Sequence, residues 1–433
     1  MRISTFHKKR GDQITFIRGT DETHKDQIWD RIYVSSLFTY DLPITVRTIN
    51  FYSDSVTNPK EEIIVGGIGA TLIPKYIEKY SVCKIISGPL DYANALGFNE
   101  DPVSTLIPDY DILKTVDYKY TPEHAYFGRI SIGCIRKCNF CAVPTLEPNF
   151  GFFDSITRQV NEINQKFGEK NDLVILDNNI LALPNIKDII HEIKNLGFQR
   201  DAKIGRKFRY VDFNQGIDAR LITPEVAHEL GLINIRPIRL AFDNMGIEKS
   251  YRNAIMLLAK EGFKYFTTYV MYNFNDTPQQ FYDRLKINIE LSKEYNIRIT
   301  GFPMRFVPID NINRHFISNN WNWKFLRGIQ CILNATHGMV SPIKEFFDVA
   351  FGKNYSEFSD ILNMPDNYII YRSKFNEQAR LWKQAYEILS DDDLLSLHEH
   401  FNKHHHQACN YKSGNMKIDK LLPFYKNRGL EKI

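Results

Sequence analysis

From Tyr126 to Phe306, short β-rich runs alternate with longer amphipathic segments. Intervening segments such as SITRQVNEINQKFG and QQFYDRLKINIELSKEYN carry apolar residues at helical spacing. This alternation is typical of parallel β/α units, so we expect an α/β fold with a partial (β/α)6 barrel. The six predicted strands are YFGRISI (126–132), DLVILD (172–177), FRYVDFN (208–214), IRLAFD (238–243), FTTYVMY (266–272) and ITGFPMRF (299–306).

Polar side chains follow or end these predicted strands. In parallel β/α folds, ligands gather beyond the carboxyl ends of the strands, so such residues are candidates for binding. A single one is as well explained as a helix cap or turn residue, and Asp276 and Thr277 are expected to be caps. Five successive strand ends are harder to explain that way. The candidates are Asp177, Asn178, Asn179, Asn214, Gln215, Asp218, Arg220, Asp243, Asn244, Asn273, Asn275 and Arg305.

Three of the six cysteines, Cys134, Cys138 and Cys141, lie in the stretch GCIRKCNFCAVP. A structural zinc site needs four ligands, and here a remote residue such as Cys83 or His124 would have to complete it. The four-cysteine run of a ferredoxin is absent from the sequence. Three thiolates would hold three irons of a [4Fe–4S] cluster and leave the fourth iron open to an outside ligand.

With Phe140 just before the last cysteine, this C-x3-C-x2-C stretch resembles the cluster loop of the radical S-adenosylmethionine (radical SAM) enzymes. The resemblance implies that Cys134, Cys138 and Cys141 hold a [4Fe–4S] cluster and that SAM chelates its open iron. One electron, from a donor such as flavodoxin or ferredoxin, would cleave SAM to a 5'-deoxyadenosyl radical. That radical would abstract hydrogen from a substrate that the sequence does not identify.

The resemblance also implies approximate roles for the strand-end residues. The segment after the second strand would hold the methionyl amine of SAM, which points to Asn178 and Asn179 beside Asp177. The fourth and fifth strand ends would meet the ribose and adenine, which points to Asp243 and Asn273. Arg220 or Arg305 suits a carboxylate or phosphate of SAM or of the substrate. Phe140, Asn214 and Gln215 complete the predicted cofactor-binding set.

Residues 1–115 predict a small Rossmann-like α/β domain. RISTFHKKRGD is expected to be a helix, QITFIRG a strand, and EEIIVGGIGATLIPKYI a strand, glycine turn and helix. The layout resembles the cobalamin-binding-like domain of one radical SAM subgroup. Because no D-x-H-x-x-G motif is present and the usual first strand is missing, cobalamin is not expected. A radical SAM methyltransferase or methylthiotransferase remains an alternative function.

The remaining chain predicts a barrel domain at 116–310 and a mostly helical region at 311–433. In the segment around Trp321, Trp323 and Phe325, basic and aromatic residues interleave, but a core helix is favoured over a base-stacking surface. The histidine-rich HEHFNKHHHQAC favours a solvated helix end over a metal site.

Composition excludes little beyond disorder and membrane insertion. The 433 residues are 43% hydrophobic with a net charge of +4, which suits packed domains and neither requires nor excludes nucleic acid. No signal-peptide core and no apolar run of roughly 20 residues are present, so a soluble cytoplasmic protein without membrane partners is expected. A non-radical zinc or iron–sulfur protein that binds nucleic acid is the alternative from another class.

Overall fold

The computed structural model describes residues 1–426, which divide into two compact units. Unit 1 contains Met1–Arg239 and Val307–His315, and unit 2 contains Leu240–Phe306 and continues from Phe316. The division into domains at 1–115, 116–310 and 311–433 stays a prediction, and the last seven residues of the third lie outside the described residues.

The front of unit 1 holds a three-stranded parallel sheet in the order β1-β2-β3. The strand β2 is buried along Ile63, Ile64 and Val65, which explains its uninterrupted apolar sequence. Gly67, with φ +96, follows it, and a Cβ there would lie 2.5 Å from the carbonyl oxygen of Ser36. The elements are α1 (Arg2–Arg10), β1 (Ile32–Ser35), α2 (Leu42–Phe51), α3 (Pro59–Glu62), β2 (Ile63–Gly66), α4 (Ile68–Leu72), α5 (Pro74–Tyr80) and β3 (Lys84–Ile85).

Four of the five expected features of this region are confirmed, and one strand is wrong. The first helix is α1, and the strand, glycine turn and helix are β2, Gly67 and α4. The predicted strand QITFIRG is not a strand, although its composition favours one. A strand needs a hydrogen-bonded neighbour, and the sheet takes IYVS at β1 instead.

A second parallel sheet in unit 1 has the order β10-β7-β4. Its central strand β7 pairs Leu173 with Tyr126 on one side and with Val211 on the other. Two antiparallel pairs, β5 with β6 and β8 with β9, accompany it. The elements are β4 (Ala125–Gly128), β5 (Ser131–Ile132), α6 (Val143–Leu146), β6 (Gly151–Phe152), α7 (Ile156–Phe167), β7 (Asp172–Ile175), α8 (Ile186–Ile193), β8 (Lys203–Ile204), β9 (Lys207–Phe208), β10 (Val211–Phe213) and α9 (Pro224–Leu230).

The third sheet has the order β11-β12-β13, and β12 is parallel to β13 over eight residues. The strand β11 (Ile238–Ala241) crosses from the end of unit 1 into unit 2, which also holds α10 (Glu248–Lys260), β12 (Tyr265–Tyr272), α11 (Pro278–Glu294) and β13 (Arg298–Arg305). All six predicted strand positions are therefore strands, and the α/β class with parallel sheets is confirmed. Their closure into one partial barrel stays a prediction.

Helices fill the rest of unit 2, as the sequence predicts. Trp321 and Phe325 are buried in its core, which confirms the core-helix interpretation. Of the histidines, His398 donates to the Oδ1 of Asn363 at 2.8 Å, and His400 is buried beside the carbonyl oxygen of Ala408. The helices are α12 (Trp323–Ala335), α13 (Lys344–Phe351), α14 (Tyr355–Asn363), α15 (Asp366–Ile370), α16 (Asn376–Tyr386), α17 (Asp391–His404) and α18 (Met416–Leu421).

Across residues 1–426, no helix combines the length and apolar character that crossing a membrane requires.

Candidate functional site

The three cysteines lie in one loop of unit 1 between β5 and α6. Pairing of Ser131 with Phe152 joins β5 to β6 and closes the segment that contains the loop. Gly133 opens the loop with φ +69, and a Cβ there would collide with the carbonyl oxygen of Asn149. A 3.0 Å bond from the Cys141 amide to the Cys138 carbonyl makes a turn between the last two cysteines. The sequence thus folds this loop tightly at the end of a strand.

The sulfur of Cys134 accepts two hydrogen bonds. The Arg136 amide and the Asn179 side-chain amide each donate to it at 3.3 Å. Hydrogen bonds to ligating sulfurs are among the features that tune iron–sulfur sites. The bond from Asn179 links the predicted methionyl-binding segment directly to the first cysteine.

The three thiols share a loop but do not form a ready-made metal site. Within residues 1–426, no three His, Cys, Asp or Glu side chains are grouped so as to hold a metal ion. The donor chemistry nevertheless fits iron and sulfide, because clustered thiolates are the ligands that iron–sulfur clusters use. The two N–H donors at Cys134 fit the same purpose.

Asp177 holds the backbone that leads into the cysteine loop. The carboxylate is 2% exposed and accepts from the Ile130 amide at 3.0 Å, from the Ser131 amide, and from the Ser131 hydroxyl at 2.6 Å. Burial raises its pKa, and these hydrogen bonds oppose the shift without cancelling it. Asp177 is therefore committed to positioning β5, while its predicted contact with SAM stays untested.

Glu147, which the sequence interpretation missed, ties the loop to two strand ends. Its Oε2 accepts from the Gly133 amide at 2.7 Å and from the Asn178 side chain at 2.8 Å, and it forms an ion pair with Arg129. Both charged side chains are less than 15% exposed. No motif marks Glu147, since its partners are distant in sequence, and its only signal is its place just after the cysteines.

A second charged link joins the cysteine loop to the third strand end. Asp218 is 8% exposed and accepts from Arg136 at 3.1 Å and from Arg220 at 2.7 Å. Burial would raise the pKa of Asp218, but the hydrogen bonds and charges of the two guanidinium groups lower it. No local sequence pattern marks Arg136 as a partner of Asp218, because the two residues are 82 positions apart. Nearby, Asn214 and the exposed Gln215 bond to one another at 3.3 Å.

Phe140 lies in the cysteine loop of unit 1, whereas Asp243, Asn273 and Arg305 lie in unit 2. Arg284 is fully buried and donates to the carbonyl oxygens of Phe242 at 2.9 Å and Asp243 at 2.7 Å, and to the carboxylate of Asp276 at 2.5 Å. It thereby fixes the backbone just after β11. Of the two expected caps, Thr277 caps α11 with a capping box, whereas Asp276 pairs with Arg284 instead.

Asn273 and Arg305 meet at one carbonyl group. Asn273 is fully buried with φ +68, donates to the carbonyls of Phe306 and Phe316 at 3.0 Å, and accepts from the Ser318 amide at 3.0 Å. Arg305 donates to the same Phe316 carbonyl at 2.9 Å. The two side chains therefore hold the segment that follows the third sheet.

Comparison with known proteins gives partial matches. No protein-family model matches the chain. The ribosomal protein uS12 methylthiotransferases RimO of Xanthomonas axonopodis pv. citri and of Stenotrophomonas maltophilia are each 30% identical over 137 residues, which is 28% of this chain and 28% of each relative. The match thus spans just over a quarter of these relatives' length.

The names of these relatives describe methylthiotransferases, so the similarity supports an enzyme without fixing its family or subgroup. A solved structure of Streptococcus suis SuiB bound to the precursor peptide SuiA aligns with a TM-score of 0.32 and 12% identity, over 55% of this chain and 54% of SuiB. A likeness that weak carries no weight for fold or function.

Proposed function

We propose that this protein is a radical SAM enzyme whose Cys134, Cys138 and Cys141 bind a [4Fe–4S] cluster. The observation that supports it most is the C-x3-C-x2-C loop at a strand end, with Asn179 and the Arg136 amide bonded to the Cys134 sulfur. When bound, the cluster and SAM supply a 5'-deoxyadenosyl radical by one-electron cleavage of the sulfonium. The substrate is unidentified.

The chain's own residues hold the loop in place for this chemistry. Asp177 fixes the backbone before the loop, Glu147 fixes its first residue, and Asp218 holds Arg136 within it. These three carboxylates come from different elements, so the loop is restrained from three directions. Such restraint keeps ligands oriented and reduces the reorganisation that cofactor binding requires.

Asn179 is suited to contact the methionyl end of SAM. Its Nδ2 is bonded to Cys134, while its Oδ1 is buried and has no hydrogen-bond partner within residues 1–426. A buried acceptor without a donor costs about 1–3 kcal/mol. An N–H of the SAM amine would supply that donor beside the first cysteine.

Arg305 suits a carboxylate or phosphate of SAM or of the substrate, and the adenosine end is assigned to Asp243 and Asn273 of unit 2. Their backbone settings are rigid, because Arg284 fixes the Asp243 carbonyl and Asn273 is bonded on three sides.

Replacing each loop cysteine with alanine tests the ligand set. Since each thiolate holds a different iron, Cys134→Ala, Cys138→Ala and Cys141→Ala should each abolish a stable cluster after anaerobic reconstitution, measured as iron, sulfide and absorption. The half-buried Cys409 is the matched control, and Cys409→Ala should keep full cluster content. Full iron content in any loop variant contradicts the assignment, as does stoichiometric zinc in a colourless wild-type protein.

Reduction of the reconstituted protein with dithionite tests the reaction. The expected result is SAM binding and release of 5'-deoxyadenosine even without a substrate. If cluster-loaded protein does neither, the radical function is wrong and only an iron–sulfur protein remains.

A methylthiotransferase is the second candidate, because the relatives that match over 28% of their length carry that name. It predicts that reconstituted protein supplied with SAM, sulfide and dithionite adds a methylthio group to an acceptor such as uS12, with the sulfur from sulfide and the methyl group from SAM, detected by mass spectrometry. A methyltransferase of the cobalamin type predicts instead tight binding of hydroxocobalamin, which the absent D-x-H-x-x-G motif argues against.

A further inference from the structure

Residues 13–20 form a partly exposed segment with the composition of a strand and no strand partner within the described residues. Ile14, Thr15, Phe16 and Ile17 are β-branched or aromatic, the residue types that favour strands. Within residues 1–426, however, the backbone of 13–20 makes no hydrogen bond. A run of open N–H and C=O groups is a template on which another chain can pair.

A cavity of about 680 Å³ separates this segment from residues 115–117. This volume lies in the range of ordinary ligand sites, roughly 300–1,000 Å³. Arg18 lies over the ring of Tyr118 at 3.6 Å and joins the two walls at one end. The carbonyl of Val116 already accepts from the Tyr118 amide at 2.9 Å, so the open main-chain groups are those of residues 13–20.

The charges around the cavity select the chemistry of an occupant. Three carboxylates line the cavity, those of Asp21, Glu22 and Asp117. The basic groups in the lining are the guanidinium of Arg18 and the imidazole of His24. This excess of negative charge repels a nucleic-acid phosphate backbone and attracts lysine or arginine side chains. An extended basic peptide matches both the open backbone and the charge.

We propose that the cavity is a docking site for an extended, lysine- or arginine-bearing polypeptide, which adds as a β-strand along residues 14–18. Main-chain hydrogen bonds would supply most of the affinity, as in other strand-addition complexes, and the acidic rim would select basic side chains. This site is independent of the cysteine loop and of SAM chemistry.

The test uses the full chain and synthetic octapeptides in which Thr and Val alternate around two Lys residues, with binding followed by fluorescence anisotropy. The Lys peptide should bind at least tenfold more tightly than its Glu counterpart. N-methylation of alternate peptide amides should weaken it at least tenfold, because it removes main-chain donors without changing side chains. Amide exchange at 14–18 should be fast in the free protein and slow when the peptide is bound.

Two variants locate the binding. Thr15→Pro removes an amide from the docking segment and should weaken peptide binding at least tenfold, whereas Gln13→Pro, outside the cavity lining, should change it less than twofold. No binding of the Lys peptide, or binding that N-methylation does not weaken, overturns the proposal. A dimer of the protein that Thr15→Pro dissociates also overturns it, since a second copy would then be the occupant.

Discussion

Asp177→Asn is the sharpest perturbation of the loop scaffold, since it keeps the shape of the side chain and removes one acceptor. The carboxylate accepts from the Ile130 amide, the Ser131 amide and the Ser131 hydroxyl. An asparagine oxygen in the place of Oδ1 can keep the two Ser131 bonds and the longer 3.2 Å bond from the Ile130 amide, but its NH2 group replaces the nearer acceptor of that amide, at 3.0 Å. A buried donor that loses its better acceptor and faces a second donor costs up to about 1–3 kcal/mol. Because burial raises the pKa of Asp177, removing its charge recovers part of that cost, and about 2 kcal/mol of local destabilisation is expected.

Native-state hydrogen exchange at the amides of Ile130 and Ser131 measures this locally. A loss of about 2 kcal/mol corresponds to roughly 30-fold faster exchange through opening of this segment. Asp177→Ala removes every acceptor, so it should accelerate exchange at these amides by more than the Asp177→Asn variant does. The control is Asp111→Asn, at a carboxylate 52% exposed and paired with Lys114, where exchange at Ile130 should not change. Acceleration below threefold in both Asp177 variants would refute the assignment of Asp177 as the anchor of the loop.

Three further substitutions probe other contacts. Asn179→Leu should leave the iron content intact but shift the midpoint potential of the reconstituted cluster, since it removes a donor to the Cys134 sulfur; an unchanged potential in an EPR redox titration would show that the contact has no such role. Asn273→Ala should weaken SAM binding about five- to a hundredfold without loss of cluster, whereas Asn275→Ala, at an exposed side chain, should not change SAM affinity in calorimetry. Burial, with the charge of Lys324 adding to the effect, lowers the pKa of His398 to about 4. The contribution of the neutral imidazole to the free energy of unfolding is therefore present above about pH 6.5 and is lost as the pH falls towards 4. In urea unfolding, His398→Gln should reduce the loss of stability on the acid side by up to about 3 kcal/mol, and an unaltered pH profile would contradict it.

The strand positions were predictable because buried parallel strands have a strong local signal. β7 and β12 are runs of apolar and β-branched residues bounded by polar turns, so composition alone located them. QITFIRG carries the same local signal and is not a strand. Its composition favours extended backbone, but pairing depends on a neighbour that only the tertiary fold can provide.

The cysteine loop was equally visible, whereas its supports were not. The spacing of Cys134, Cys138 and Cys141 within eight residues is itself a motif, but Glu147, Arg129 and Arg136 act through partners that the fold brings together. A lone Glu or Arg has many ordinary roles, so no local pattern separates an anchor from a surface charge. The polar residues at the strand ends could be predicted because ligands gather there in parallel β/α folds. Several of them, such as Asp177 and Asn273, form hydrogen bonds to backbone groups instead.

Neighbouring strand-end residues have two different roles in the proposed site: some hold the backbone in position, and others are available to bind a ligand. Asp177 and Asn179 stand two positions apart, yet the first uses its oxygens on the β5 backbone, while the second keeps a buried oxygen without a partner. Fully satisfied side chains hold geometry, and an unsatisfied one stores a cost that a ligand can remove. By the same reasoning Asn273, whose side chain makes three hydrogen bonds, mainly holds the backbone of unit 2 in place. Its effect on the affinity for SAM should therefore be indirect, through the position of that backbone. Loss of SAM affinity in Asn273→Ala should therefore be accompanied by lower thermal stability, whereas Asn179→Leu should weaken SAM binding with little change in melting temperature.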